Sequence, residues 1–329
     1  LKESTQMTTQ RMANVFTEHE AAVPSSQRTA VIQELIGLAS RDTRVVVTSA
    51  DMGAAVAEFR RHFPNRYFDF GIAEANAISA AAGMAACDLI PYVISMAPFG
   101  AIKCAEQIRT DVAYNHLPVR ILAFLSGLAM GFFGASHHAI EDIAILRTIP
   151  NLTLIAPSDP NSAIALLRAS AEHPGPVFFR LSEGVDDLVY PKPPEVSWGK
   201  ILNIRRGVDV TIVATGIGVR KSLEAANVLE QQGISVCVMD AVFLKPFDHT
   251  TVAQAARTAR AIITVDEHSV NGGLATVVAE TLARHGISVP LASVGLPDED
   301  LEVGVPSYLL ERYGVSVDGI VAKVNEVLR

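Results

Sequence analysis

The stretch VVVTSADMGAAVAEFRRHFPNRYFDFGIAEANAISAAAGMAACDLIPYVISM, residues 45–96, decides the fold. Near its ends, RVVVT and PYVIS are apolar on both faces and rich in β-branched residues, the pattern of strands buried on both sides. Between them, AAVAEFRRHF and AEANAISAAAGMAAC carry apolar residues at helical spacing, with RYFDF a short extended piece. Strand, helix and strand in that order predict a parallel sheet covered by helices. The alternation runs outward in both directions. RTAVIQELIGLAS precedes it as a helix; IKCAEQIRTDVAYN (helix), VRILAF (strand), AIEDIAILRTI (helix), LTLIA (strand), PNSAIALLRASAEH (helix) and PVFFRL (strand) follow.

The segment YPKPPEVSWG, residues 190–199, holds three of the 17 prolines and reads as a semi-rigid linker. Beyond it α/β alternation resumes with DVTIVAT, the helix VRKSLEAANVLEQQG, SVCVMD, ARAIITVDE, a helix over 272–285, VPLASVG and a terminal helix. The two halves share no repeat. The expected fold class is therefore α/β with two doubly wound domains: an N-terminal tail over 1–24, a first domain over 25–189, the linker over 190–199 and a second domain over 200–329.

Composition narrows the class of partner. The 329 residues are 49% hydrophobic and carry 27 Lys and Arg against 35 Asp and Glu, a net charge of −8. Disorder is excluded, and neither nucleic acid nor an anionic membrane is the expected partner. The longest uncharged apolar run, Ile121 to Ala135, is 15 residues and interrupted by glycines, short of the roughly 20 that a membrane span requires. Cys87, Cys104 and Cys237 form no CxxC pair, which predicts no disulfide framework and no zinc site and points to a reducing cytoplasm. The polar start LKESTQMTTQ predicts no secretory leader.

Three segments carry residues suited to chemistry. Glu74 opens a helix made almost wholly of small residues, where exposed backbone N–H groups stabilise an acid; a simple helix-end charge is the competing reading. Phe99 follows a strand and Pro98, a position equally suited to a core ring. His137 and His138 stand at a helix entrance after glycines. No Asp, Glu or Cys precedes them at ligand spacing, so a positioned polar imidazole is expected rather than a metal ligand. TGIGVRK offers Gly216 and Gly218 but Lys221 at the third glycine position, so helix packing explains it better than dinucleotide binding. Glu267 and His268 in DEHSVNGG suit either the mouth of a site or a structural turn.

In order and spacing, RYFDFGIAEANAISAAAGMA, the strand with Phe99 and EQIRTDVAY, GASHHAIEDIAILRTIPNLTLIAPSD, GPVFFRL, LKPFD and VDEHSVNGGL resemble the C-terminal half of the transketolase family, or its second subunit where the enzyme is split. The resemblance spans residues 25–329. It implies a pyrimidine-binding domain followed by a transketolase C-terminal-like domain, and thiamin diphosphate as cofactor. It also implies that Glu74 bonds the ring nitrogen of the aminopyrimidine, that Phe99 stacks on that ring and that Asp51 lies near the thiazolium. On the substrate side it implies His137 at the reacting carbonyl or hydroxyl, with His138 and Phe133 beside it and Arg28 and Arg180 at a phosphate; ordinary salt bridges are the alternative for the two arginines.

The chain lacks the GDG motif that, in this family, holds the diphosphate and its Mg²⁺. The resemblance therefore implies a GDG-bearing partner subunit that holds the Mg²⁺, in a heterotetramer acting on small ketose and aldose substrates. Around the substrate the chain departs from the family: Phe132-Phe133 replaces Glu-Asp, Leu125 stands at a phosphate-binding His position, and Ala55 at a Ser position. These changes make the pocket more apolar than one built for a pentose phosphate. The expected activity is two-carbon ketol transfer from a ketose or ketose phosphate to an aldehyde. The alternatives are a non-catalytic assembly subunit with a degenerate site, or a decarboxylating subunit like the 2-oxo acid dehydrogenases and deoxyxylulose-phosphate synthases.

Overall fold

The first sheet grows from mostly apolar strands that, apart from the exposed edge strand over Tyr67–Asp69, are buried on both faces. The computed structural model describes residues 26–182 and 188–329; the tail expected over 1–24 lies outside the described residues. Strands β1 (Val45–Ser49), β2 (Tyr67–Asp69), β3 (Ile90–Met96), β4 (Arg120–Phe124), β5 (Thr153–Ile155) and β6 (Val177–Arg180) lie in the order β5-β6-β4-β3-β1-β2, all parallel. Alternate side chains enter two layers. Val93, Ile121 and Phe178 pack with Ala77, Ile78 and Ala81 of the helix Glu74–Ala86. Ile94, Leu122 and Phe179 pack with Val31 and Leu35 of the helix Gln27–Arg41 and Leu166 of the helix Pro160–Ala171. Ser26 caps the second of these helices by accepting from Thr29 N at 3.1 Å, and Asp159 caps the third by accepting from Ser162 N at 2.7 Å.

Past the linker come β7 (Leu202–Arg205), β8 (Val210–Ala214), β9 (Val236–Asp240), β10 (Phe243–Lys245), β11 (Ala261–Ser269) and β12 (Leu291–Leu296). Five of them form a second sheet, β12-β11-β8-β9-β7, parallel except for the edge strand β7. The sixth leaves it. β10 pairs antiparallel with β5, Phe243 opposite Ile155, and becomes the last strand of the first sheet. The first sheet thus draws its edge from beyond the linker, an exchange that a reading of two self-contained halves does not anticipate.

Two expected helices take a different form. The segment read as one helix through IKCAEQIRTDVAYN is wound as π-helical turns over Phe99–Lys103 and Ile108–Ala113 around a single α turn, Ala105–Gln107. Its buried residues Cys104, Ile108 and Val112 recur every fourth position, which the wider winding keeps on one side. The helix expected through AIEDIAILRTI is confined to Asp142–Leu146, because Ala139 is held in a two-way backbone bridge to Gly127.

A buried polar joint fastens the loop between β4 and that helix to the second domain. Arg180 Nε donates to Asp142 Oδ2 at 2.8 Å, and its Nη2 donates to the carbonyls of Ala139 and Glu267 at 3.1 and 2.7 Å. Glu267 Oε1 accepts from Leu128 N at 2.8 Å. Gly127 is required here: its φ is +63°, and a Cβ on it would lie 2.1 Å from the Glu267 carboxyl.

Burial pushes the Glu267 carboxyl from its usual 4.5 to about 7, against the pull of the Arg180 charge and the Leu128 N–H. The folded state therefore keeps a proton that the unfolded chain has lost. The group's contribution to stability falls as pH rises from about 4.5 to about 7, by about 3 kcal/mol at most. Glu267→Gln retains the acceptor for Leu128 N and removes this titration. Urea unfolding across pH 4.5–8 should show a flatter stability profile for the variant and a higher value than the parent above pH 7.

Candidate active site

Glu74 owes its position to the carboxyl ends of β1 and β2. Phe70 N bonds to Ser49 O at 2.9 Å, and the Tyr67 hydroxyl bridges Ser49 Oγ at 2.8 Å and Asp69 Oδ2 at 2.9 Å. Asp69 Oδ1 accepts from Gly71 N at 2.9 Å, turning the chain into the helix that Glu74 begins. The Glu74 side chain is 5% exposed, and its Oε2 accepts from Lys103 Nζ at 2.7 Å. That bond raises the Lys103 ammonium above the usual lysine value. Beside it, burial first and the Glu74 charge second push the Cys104 thiol up to about 11, so it stays neutral.

Phe99 starts the π-helical turn that ends at Lys103, and the Lys103 ammonium lies 6.0 Å from the Phe99 ring centroid. The Phe99 ring meets His137 edge-on at 5.1 Å. On the other side of the imidazole, Phe133 stacks at 4.7 Å with an interplanar angle of 28°, and Ser136 Oγ bonds Nδ1 at 3.0 Å. The loop carrying these rings seats on the second domain through Gly131, where a Cβ would lie 2.4 Å from Leu309 Cδ1 and 2.8 Å from Gly304 O. Glu74, Lys103, Phe99, His137 and Phe133 thus form one chain of contacts: a buried carboxylate, an ammonium, two aromatic rings and an imidazole between them.

The other candidates fall elsewhere. Asp51 is exposed, two residues past β1, at φ +53°, in the turn that abuts Tyr67 and Asp69. Arg28 lines a cleft of about 350 Å³ with Thr29, Ala54, Ala55, Glu58 and Arg61, a lining that includes neither Glu74 nor His137. Two of the expected substrate-side residues are buried here. His138 is 5% exposed and packs under the loop with Nε2 3.4 Å from Gly131 O. The Arg180 guanidinium is enclosed in the joint with Asp142, their side chains 3% and 1% exposed. Nothing in the sequence marks Lys103 itself; its partnership with Glu74, 29 residues earlier, is set by the winding of its turn. Among the described residues no group of three or more His, Cys, Asp or Glu stands ready to hold a metal ion, and no helix is long and apolar enough to cross a membrane.

A buried carboxylate at a helix start thus shares one run of contacts with a half-buried ring and an imidazole. Comparison with known proteins identifies both halves of the chain. Residues 24–185 match the transketolase pyrimidine-binding domain and residues 199–320 the transketolase C-terminal domain. The chain belongs to the transketolase family. Within it, a putative transketolase C-terminal section from Methanocaldococcus jannaschii is 35% identical, over 90% of this chain and 94% of that protein. The 6-deoxy-6-sulfo-D-fructose transketolase subunit SqwH of Clostridium sp. is 36% identical over 91% and 94%. A solved split-gene transketolase, described as an inactive β4 tetramer, superposes with a TM-score of 0.84 at 37% identity, over 92% of this chain and 98% of that one.

The ring stack makes a specific expectation about His137. Phe133 is 55% exposed, so Phe133→Ala should cost no more than about 1 kcal/mol in urea unfolding. The imidazole should nevertheless lose one ring face, seen as a downfield shift and broadening of its proton resonances; unchanged His137 resonances would refute the stack.

Proposed function

We propose that this chain is the pyrimidine-side subunit of a two-component transketolase. It transfers a two-carbon ketol unit from a ketose or ketose phosphate to an aldehyde, sharing thiamin diphosphate with a partner that holds the diphosphate and Mg²⁺. The observation that carries the reading is the contact chain from Glu74 through Phe99 to His137, a half-site built for a heterocycle and a reacting carbon. GDG occurs nowhere in the sequence, which supports a second polypeptide segment as holder of the charged end. Exposed apolar side chains beside the site support a docking partner: Ile72 two residues before Glu74, Ile102 beside Lys103, and Phe68 on β2, 76%, 39% and 40% exposed.

The cofactor supplies a nucleophilic carbon and an electron sink when bound. The chain's own work is positional. Glu74 accepts a hydrogen bond from the protonated ring nitrogen, a charge-assisted bond roughly twice as strong as a neutral one. Phe99 supports the ring face and excludes water from it. His137, fixed between Phe99 and Phe133, holds or moves a proton at the substrate oxygen nearest the bond being made or broken. Phe132 and Phe133 offer that substrate ring faces rather than carboxylates.

Co-expression with a GDG-bearing chain, followed by assay of ketol transfer with thiamin diphosphate and Mg²⁺, should give turnover only when both chains are present. Glu74→Gln should lower that turnover by about 10² to 10⁴-fold while leaving assembly intact. Near-normal activity in that variant rejects the assignment, and no partner-dependent turnover on any ketose favours an assembly role instead.

A further inference from the structure

We propose that Lys103 is the positioning residue for Glu74, holding one carboxylate oxygen so that the other is presented to the aminopyrimidine. The inference rests on the cofactor reading above and adds a residue to it. A buried carboxylate without a partner is costly, and the Glu74 side chain is 5% exposed. Ala73 at the cap position offers Glu74 no side-chain hydrogen bond, so beyond the helix N-terminus itself its partner must come from elsewhere in the fold. The ammonium of Lys103, 2.7 Å from Oε2, supplies the charge, and Oε1 is left for a second donor.

The geometry of the π-helical turn makes the arrangement specific. Phe99 and Lys103 are its first and last residues, so the turn that offers a ring to the cofactor also delivers the cation to the acid. The lysine side chain is 51% exposed, and its ammonium lies 6.0 Å from the Phe99 ring centroid. It therefore approaches Glu74 from the solvent side and is not wedged in the core, which lets it stay on Oε2 when a heterocycle lies against Phe99.

The test is thiamin diphosphate affinity in the assembled complex, measured by calorimetry without substrate, for Lys103→Met, Lys103→Arg and Glu74→Gln. The half-exposed site makes Lys103→Met compatible with normal assembly, which gel filtration checks. Lys103→Met should weaken cofactor binding about tenfold, and Lys103→Arg, which keeps the charge and a donor, should recover most of it. Unchanged binding in Lys103→Met overturns the inference. Tighter binding overturns it too, since Lys103 would then be a competitor for Glu74. If Glu74→Gln also binds and turns over normally, the fault lies with the cofactor reading itself and not with Lys103 alone.

Discussion

A charge buried where two domains meet sets the terms for the rest of this molecule. Arg180, at the end of β6, is enclosed against Asp142 and reaches the Glu267 carbonyl of the second domain. Such a pair adds little net stability compared with well-packed apolar groups, yet removing one partner alone costs about 3–5 kcal/mol because the other is left buried and unpaired. The pair therefore acts as a constraint on geometry. It fixes Ala139 and Asp142, one end of the loop that carries Phe133 and His137, to β11, while the Glu267 carboxyl of β11 holds the other end at Leu128 N.

The two halves of the site are built by different physics. Glu74 and Phe99 are placed by strand ends of the first sheet, rigid because β1 and β3 are buried on both faces. His137 is placed by a loop whose glycines let it lie close to the second domain, with Gly131 against Leu309 and Gly127 against Glu267. The imidazole between two rings is where these supports converge. A change in how the domains sit together therefore reaches His137 through the loop before it reaches Glu74.

Much of the architecture was legible from residues 45–96 alone, because doubly buried strands must be apolar on both faces and the helices between them carry small-residue stripes. β10 was not legible: it is only three residues, FLK, running into the LKPFD segment, and its identity as a strand comes from a partner on the far side of the linker. Glu74, Phe99 and His137 were reached through their resemblance to a family, and the structure brings them into one chain of contacts. His138 and Arg180 have the same residue types as ligand-binding groups, and their burial is a property of the packed loop and joint that the sequence does not display. Lys103 left no trace, since the distance from an ammonium to a carboxylate 29 residues earlier depends on how one turn is wound.

The crossing of β10 also bears on how the chain can be divided. Severed at the linker, the first domain would present the free backbone edge of Thr153–Ile155, now covered by Phe243–Lys245, and a bare parallel edge invites strand addition from a neighbouring molecule. The boundary visible in the sequence is thus a poor place to cut: the first domain is shielded from self-association by a piece of the second, and the two are better expressed as one piece.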